Sequence, residues 1–256
     1  MSLFTDILPL GLILFACGVT LLGGFVKGAV GFAMPLIMIS GMGILIDPKL
    51  VVAGIIFPIV VSNGWQVLHA GLGQAREAVR DHWRYVLVVC VMILISAQFL
   101  TLIPTRVMFI ILGVPVVVLC AIQLLGWRPR ISAQRRRVFE WGAGFAAGTL
   151  GGLAGTWGPP TVLYLLALDT PRARQMAVQG VIYGAGSVML LLGHLQSGVM
   201  NARTWPLSAL LVLPALVGMW LGFKLGDRFD QNRFRRMTLL VLIVAGANLI
   251  RRGVMG

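Results

Sequence analysis

Residues 23–35 read GGFVKGAVGFAMP and combine four glycines, a closing proline and one lysine, Lys27. Lys27 is the only cation that lies well inside an apolar run of the sequence. A second stretch, GTLGGLAGTWGP at residues 148–159, has the same spacing of glycine and proline. The matched pairs are Gly24 with Gly148, Gly28 with Gly152, Gly31 with Gly155, and Pro35 with Pro159. We therefore expect a duplicated unit with a broken helix at the head of each copy.

The composition places most of the chain in lipid. Hydrophobic residues make up 58% of the 256 residues and charged residues 11%, whereas a soluble protein has roughly 25% charged residues. The apolar runs approach the roughly 20 residues that a membrane-crossing helix needs. The sequence therefore predicts an all-α, polytopic membrane protein. The start, MSLFTDILPLGLILF, lacks a basic region and a cleavage site, so we expect it to form the first span.

Apolar segments fall into two sets of five around a basic linker. We predict repeat 1 over residues 1–126, the linker over 127–138 and repeat 2 over 139–256. The segments of the first set are 7–24, 28–46, 51–70, 84–103 and 107–126, and those of the second are 139–153, 157–168, 176–195, 206–224 and 237–250.

Arginines gather in three stretches between these segments, 71–83, 127–138 and 225–236. Short basic loops stay cytoplasmic under the positive-inside rule. The net charge of +13 therefore indicates membrane topology rather than nucleic-acid binding. We expect a multi-pass protein of the inner (plasma) membrane with both chain ends outside. Arg251 and Arg252 conflict with this orientation, because they lie at the outer end of the last segment.

Residues 139–168 must return the chain to the side on which they begin, because the basic stretches before and after them are both placed inside. They can do so as two short crossings or as one re-entrant hairpin, and the same alternatives hold for residues 7–46. An odd number of segments per half makes the two halves antiparallel in the membrane. Inverted repeats with interrupted helices at the midplane are a recurring transporter architecture.

The second break predicts a ligand site. Proline is favoured in the first turn of a helix, so we expect Pro159 and Pro160 to begin a new helix with Thr156 near its N-cap. A helix that begins inside the bilayer presents unpaired N–H groups and a positive dipole end. Such an end suits an anion.

The glycines also permit a second interpretation, close packing of helices. Small residues four apart let two helix backbones touch. Gly24/Gly28 and Gly144/Gly148 fit this packing interpretation well. The denser run at 151–158 fits a break better.

Lys27 strengthens the anion interpretation. A lysine among apolar residues is costly unless it is paired or reaches water, so it is a functional candidate by default. No acidic residue lies inside an apolar run, since Asp6 and Glu140 fall at segment ends. Either residues 25–27 form a cytoplasmic turn with Lys27 at the lipid surface, or Lys27 lies at the tip of a re-entrant hairpin with the transported anion as its counter-ion.

Polar residues of the third and eighth segments complete the candidate site. Ser62, Asn63 and Gln66 follow one side of the third segment, and Gln179 and Tyr183 follow one side of the eighth. Their alternative role is hydrogen bonding between helices. The predicted substrate-binding residues are Lys27, Gly28, Gly31, Asn63, Gln66, Gly155, Thr156, Trp157, Gly158, Gln179 and Tyr183.

No sequence feature predicts an enzyme or a cofactor. The sequence has no HExxH, GxSxG, Walker-type or paired-carboxylate motif, and Cys17, Cys90 and Cys120 lie singly, which disfavours a disulfide framework or a cysteine metal site. His69 and His194 could supply a bis-histidine haem site, but the predicted topology puts them near opposite faces. We therefore predict no catalytic residue, no metal and no cofactor.

With both breaks in view, the chain resembles the TauE/SafE sulfite-exporter family of bacterial membrane proteins. The resemblance rests on GGFVKGAVGFAMP near the start and GFAAGTLGGLAGTWGPP at the head of the second half, together with the length, the two-copy layout and the basic linker. It implies an inner-membrane permease that moves sulfite or small organosulfonates, usually outward. These compact anions agree with the glycine breaks and Lys27.

The leading hypothesis is thus a secondary transporter for a small anion. The competing hypothesis is a membrane scaffold or partner subunit that transports nothing, and a third is a haem- or quinone-binding subunit. The expected partners are a small anion and the lipid bilayer, without nucleic acid. A homo-oligomer stays open, as do the identity of the substrate, the direction of transport and the coupling ion.

Overall fold

The computed structural model describes residues 8–126, 131–226 and 230–255, which form helices and connecting turns without a strand. This confirms the all-α prediction within the described residues. The helices are α1 Leu10–Val30, α2 Met34–Met42, α3 Pro48–Ala70, α4 Leu72–Ala97, α5 Thr105–Leu124, α6 Arg136–Ala154, α7 Gly158–Ala167, α8 Arg172–Gln196, α9 Trp205–Leu210, α10 Val212–Gly226 and α11 Gln231–Met255. Parts of the predicted first segment (residues 1–7), linker (127–130) and last basic loop (227–229) lie outside the described residues.

Six stretches of the described helices are long and apolar enough to cross a membrane. They are Leu10–Val30, Pro48–Ala70, Thr105–Leu124, Arg174–Gln196, Trp205–Gly226 and Arg236–Met255. Large apolar side chains such as Leu14, Val118 and Val244 are exposed on their outer faces. Lipid rather than water is the natural solvent for such faces. The chain is a multi-pass membrane protein.

The first break lies later in the chain than the sequence predicts. The helix α1 runs without interruption through Val30 and ends at Gly31, whose φ of 86° is left-handed. Ala33, with φ 84°, precedes α2, and Pro35 lies in the first turn of that helix. The predicted division between segments 7–24 and 28–46 is therefore wrong. Lys27 lies in the last turn of α1, which excludes both a turn at 25–27 and a position at the hairpin tip.

The second break follows the prediction more closely. The helix α6 ends at Gly155, which has a left-handed φ of 65°, and α7 begins at Gly158 with two prolines in its first turn. Thr156 does not cap α7, however. It lies next to the N-cap residue, Trp157, as the sequence predicts, but its hydroxyl donates to the carbonyl of Leu150 at 3.0 Å and so completes the end of α6.

Both short helices fold back along the helices that precede them. Gly23 of α1 lies against Met34 of α2, and Glu140 of α6 accepts a hydrogen bond from Tyr164 of α7. The helices α2 and α7 have 9 and 10 residues. At 1.5 Å per residue each is about half as long as the roughly 30 Å hydrocarbon core. Each break therefore joins the two helices of a hairpin whose second helix is too short to cross the core, whereas α1, with 21 residues, is long enough to do so.

Two further boundaries differ from the prediction. The stretch 71–83 is helical, since α4 begins at Leu72 and continues to Ala97 with His82 as a non-helical residue inside it. This stretch contains good helix formers, among them two alanines, two arginines and one glutamate, and no proline, so helix formation is favourable. The segment 206–224 is divided at Leu211 into α9 and α10. The remaining helices fall where segments are predicted, several of them longer.

Helices of the first half pack against helices of the second. The most extensive pairs are α1 with α10, α4 with α6, α5 with α11, α4 with α8 and α3 with α8. A Cβ on Gly28 would collide with the Met219 carbonyl of α10, and one on Gly148 would lie 2.8 Å from the Val89 carbonyl of α4. Absent side chains thus let the backbones touch. The glycines for which this confirms the packing interpretation are Gly24, Gly28, Gly144 and Gly148.

Candidate functional site

The two breaks meet in the interior of the helical bundle. A Cβ on Gly158 would lie 3.3 Å from the ring of Phe32, and one on Gly155 would lie 3.6 Å from Pro35. Between the breaks is a cavity of about 20 Å³, which has room for about one water-sized molecule. Its walls are Lys27, Phe32, Ala33, Pro35, Leu36, Ile59, Asn63, residues 155–159 and Tyr183.

Lys27 reaches this cavity from the last turn of α1. Its side chain is only 3% exposed, and its Nζ donates to Ser62 Oγ at 3.0 Å and to Asn63 Oδ1. The carboxamide of Asn63 then donates through Nδ2 to the Tyr183 carbonyl at 3.0 Å. A chain of hydrogen bonds therefore joins α1, α3 and α8 beside the cavity.

The electrostatics of the cavity favour negative charge. Both hydrogen-bond partners of Lys27 are neutral, and no carboxylate of the described residues lies within ion-pair distance of it. Neither α2 nor α7 has a side-chain cap at its start. Since proline has no N–H, the first turn of α7 offers the N–H of Gly158, fewer donors than the break alone predicts.

The structure separates the predicted site residues into two groups. Those that line the cavity are Lys27, Asn63, Gly155, Thr156, Trp157, Gly158 and Tyr183. Those that do not are Gly28, which faces α10, and Gly31, Gln66 and Gln179, which lie together at the first break. Sequence reasoning places Ser62 on the polar side of its segment but not in the site, although Ser62 contacts Lys27 directly.

Gln66 and Gln179, from the second group, form a small cluster around Gly31. The Nε2 of Gln66 donates to the carbonyls of Gly31 and Met176, each at 3.3 Å. Its Oε1 is buried and has no hydrogen-bond partner among the described residues. The Oε1 of Gln179 lies where a Cβ on Gly31 would be only 2.6 Å away. Glycine is needed here both for its positive φ and for this close approach.

A second polar cluster, which the sequence does not reveal, lies at the start of α6. Glu140 is 2% exposed and pairs with Arg136 at 2.8 Å and with Arg84 at 3.6 Å. Tyr164 links it to His82, whose Nδ1 is 2.8 Å from the tyrosine hydroxyl. The sequence shows these residues only as the charged ends of segments. Their contact depends on the return of α7 along α6.

Charged residues of α4 and α8 extend this cluster. Arg174 pairs with Asp81 at 2.7 Å and with Glu77 at 3.5 Å. Burial raises the pKa of the Asp81 carboxyl, but the guanidinium groups of Arg80 and Arg174 lower it by more, so it lies below its ordinary value. Burial, and then the Arg136 guanidinium, lower the pKa of the His82 imidazole to about 4. Asp81 and His82 belong to the charged part of α4, which is in none of the six candidate spans.

A family model identifies the chain. The model for sulfite exporter TauE/SafE matches residues 16–249, which include both breaks, Lys27 and the basic linker. No curated protein and no solved structure matches the chain. The matched region covers nearly all of the described helices. The chain therefore belongs to the TauE/SafE sulfite exporter family, whose members are membrane transporters and not enzymes.

Proposed function

We propose that this protein is a permease for a small oxyanion, sulfite or a small organosulfonate, which it moves outward across the inner membrane. The observation that carries the proposal is the burial of Lys27 beside two meeting breaks, with neutral hydrogen-bond partners. An ammonium group in such surroundings is costly without a counter-charge. A compact anion supplies that counter-charge.

The anion is held by groups that the cavity already contains. Lys27 provides the charge, and the N–H of Gly158 lies at the start of α7, the positive end of a helix dipole. Asn63 holds the ammonium in place through its own bond to α8. The cavity of about 20 Å³ is too small for sulfite, so the described conformation is closed and binding requires the hairpins to separate.

Transport proceeds by movement of one repeat against the other, with residues 1–126 and 139–256 as inverted copies joined by the linker 127–138. The packing pairs support this proposal. The first helix of each copy, α1 or α6, packs against a later helix of the other copy, α10 or α4. The pairs α3 with α8 and α5 with α11 join counterparts, as a two-fold axis in the membrane plane requires.

The basic stretches are proposed to face the cytoplasm. Asp81, Arg136 and Arg174 lie together in one polar cluster, which supports a common side for the regions before α4, α6 and α8. Arg252 is, with Arg251, one of the two charges that conflict with this orientation. It donates to the Gly43 carbonyl and lies over the Phe109 ring at 4.7 Å, so a packing role accounts for its position.

Anion-induced thermal stabilisation tests the proposal. Sulfite or sulfoacetate should raise the Tm of the purified protein where chloride does not, because a ligand at 100 times its Kd adds about 2.7 kcal/mol. Lys27→Met removes the charge at nearly constant volume and should abolish the shift. Lys224→Met is the matched control, since Lys224 is exposed beside Trp220.

Transport in proteoliposomes completes the test. Sulfite flux should be lost in Lys27→Met and kept in Lys224→Met. A wild-type protein that neither responds to these anions nor moves them would favour the non-transporting scaffold. Flux that survives in Lys27→Met would remove Lys27 from the site.

A further inference from the structure

A second cavity, of about 200 Å³, lies at the carboxyl end of α3. Its walls include Gln66, His69, Gln74, Met176 and Phe223. His69 and Gln74 are exposed at its rim, whereas Gln66 is 1% exposed at its floor. We call this cavity the vestibule. It is about ten times larger than the cavity at Lys27.

Gln66 is the partition between the vestibule and the Lys27 cavity. Asn63, three residues earlier on α3, is a wall of the Lys27 cavity, and three residues of helix advance by about 4.5 Å. On α1, Lys27 contacts Asn63 and Gly31 contacts Gln66. The contact between Lys27 and Asn63 therefore borders the Lys27 cavity. The contact between Gly31 and Gln66 borders the vestibule.

The closed position of Gln66 is held weakly. Its two hydrogen bonds, to Gly31 and Met176, are both 3.3 Å long, and its Oε1 has no partner among the described residues. A buried acceptor without a partner is unfavourable, because it has lost its hydration and gained no hydrogen bond in exchange. Rotation of the carboxamide into the vestibule would let water reach this oxygen. The hydrogen bonds that water makes to Oε1 in the open position therefore offset part of the loss of the bonds to Gly31 and Met176.

The opposite side of the Lys27 cavity offers no comparable route. There a Cβ on Gly155 would meet Ile59 at 2.6 Å and Leu190 at 3.6 Å, and both side chains are fully buried. The side chains of Ile59 and Leu190 therefore close this side of the cavity in the described structure. The polar partition formed by Gln66 is thus on the vestibule side of the Lys27 cavity.

We propose that the vestibule is the access path of the anion on the side of the basic loops and that the Gln66 side chain is its gate. This rests on the proposed function, since it concerns how a small oxyanion reaches Lys27. His69 and Gln74 offer the entering anion polar side chains, and Gln66 swings aside to admit it. The gate separates the two cavities by the thickness of one side chain.

Thiol labelling tests the path. In a background with Cys17, Cys90 and Cys120 replaced by alanine, His69→Cys should react with a membrane-impermeant, charged thiol reagent from the basic side. Sulfoacetate, which does not consume thiol reagents as sulfite does, should slow the reaction. Leu68→Cys is the matched control, because Leu68 is the neighbouring residue and faces lipid. Equal reaction rates at the two positions, or reaction of His69→Cys from the opposite side alone, would overturn the path.

The gate has a separate test. Ala33→Cys places a thiol on the wall of the Lys27 cavity, and Gln66→Ala should raise its reaction rate from the basic side at least tenfold by joining the two cavities. An unchanged rate would overturn the gate. Should Gln66→Ala not fold, Gln66→Glu keeps the shape and puts a negative charge in the path, and undiminished sulfite flux would contradict the proposal.

Flux separates this inference from the proposed function. Complete labelling of His69→Cys should lower sulfite flux at least tenfold, and labelling of Leu68→Cys should leave it unchanged. Full flux through labelled His69→Cys, with flux still lost in Lys27→Met, would refute the path alone. Absence of any anion flux in the unlabelled protein would refute the proposed function and the path with it.

Discussion

The ammonium of Lys27 lies between a serine hydroxyl and an asparagine carboxamide, both of which can accept its protons but neither of which can neutralise it. Hydrogen bonds replace part of the lost hydration, and the charge itself remains uncompensated. The free energy gained by an entering anion is therefore electrostatic and depends on the sign of its charge. At the scale of single residues, this makes Lys27 the selectivity element of the proposed site.

Asn63→Asp provides a fixed counter-charge and should abolish the response to anions. The carboxylate replaces the carboxamide at the same position beside Lys27, so sulfite no longer has an unpaired cation to neutralise. We expect at least a tenfold loss in apparent sulfite affinity, measured by thermal shift. The control is Asn201→Asp, in an exposed turn. A wild-type response in Asn63→Asp would show that the anion does not pair with Lys27.

Glu140→Gln should destabilise the protein without changing anion selectivity. The substitution leaves Arg136 and Arg84 facing a neutral, buried side chain, and removal of one partner from a buried pair costs up to about 3–5 kcal/mol, less here because both arginines are partly exposed. Thermal unfolding in detergent measures the loss. Glu77→Gln, where the carboxylate is 62% exposed, should change stability by less than about 1 kcal/mol. Equal losses in the two variants would contradict the assigned role of the Glu140 cluster.

At the scale of elements, the helix pair α1 and α10 is fixed by contacts between backbones. A Cβ on Gly218 would lie only 2.8 Å from the Phe25 backbone nitrogen, and Gly28 faces Met219. Such contacts have no side-chain freedom with which to absorb an added methyl group. The position of Lys27, one residue before Gly28, is thus set by how closely the two helices approach.

Gly28→Ala should destabilise the protein by about 1–3 kcal/mol, because the new Cβ collides with the Met219 carbonyl and the helices must move apart. Gly18→Ala is the matched control on the same helix, where a Cβ meets nothing within 4 Å. That change should be neutral or stabilise by up to about 1 kcal/mol, because alanine favours helix. Detergent unfolding curves measure both. Similar Tm values for the two variants would argue against backbone packing at Gly28.

The existence of both breaks can be predicted from glycine and proline spacing, because these residues act locally. The position of the first break cannot be predicted from this spacing. No residue between 25 and 30 forbids helix, and the chain leaves it at Gly31, where Gln66 and Gln179 approach from other helices. Thr156 illustrates the same limit, since the hydrogen bond from its hydroxyl back to Leu150 depends on how the break folds and not on its place before Pro159.

At the scale of the whole molecule, the polar cluster of α4, α6 and α8 joins the two halves of the chain. His82 comes from the first half, and Tyr164 and Arg136 come from the second. The sequence predicts the helical membrane class and the two-part layout from composition and periodicity. It cannot predict this cluster, since contacts between charged segment ends depend on the three-dimensional return of α7.

Stability should decrease as the pH falls through the cluster's range. The pKa of His82 is about 4 in the folded protein, below the ordinary value of about 6.5, so the unfolded chain binds the proton more readily between these values. The stability that neutral His82 contributes is fully present above about pH 6.5 and is lost as the pH falls towards 4. His82→Gln should flatten the dependence of Tm on pH in this window. The groups that face His82 are Asp81, Arg136, Glu140, Tyr164 and Arg174.

The depressed pKa of Asp81 acts in the same direction at still lower pH, because a paired carboxylate is lost on protonation. The substitution Asp81→Asn measures how much of the pH dependence of stability comes from Asp81. A profile for His82→Gln that matches the wild-type profile between about pH 4 and 6.5 would contradict the prediction.

The crosswise packing of α1 on α10 and α6 on α4 has a consequence for biosynthesis. The ribosome synthesises the glycine face of α1 long before α10. The nascent first half therefore cannot complete its own core. Each half should be degraded by cellular quality control when expressed alone. Co-expression of the two halves as separate polypeptides should rescue both.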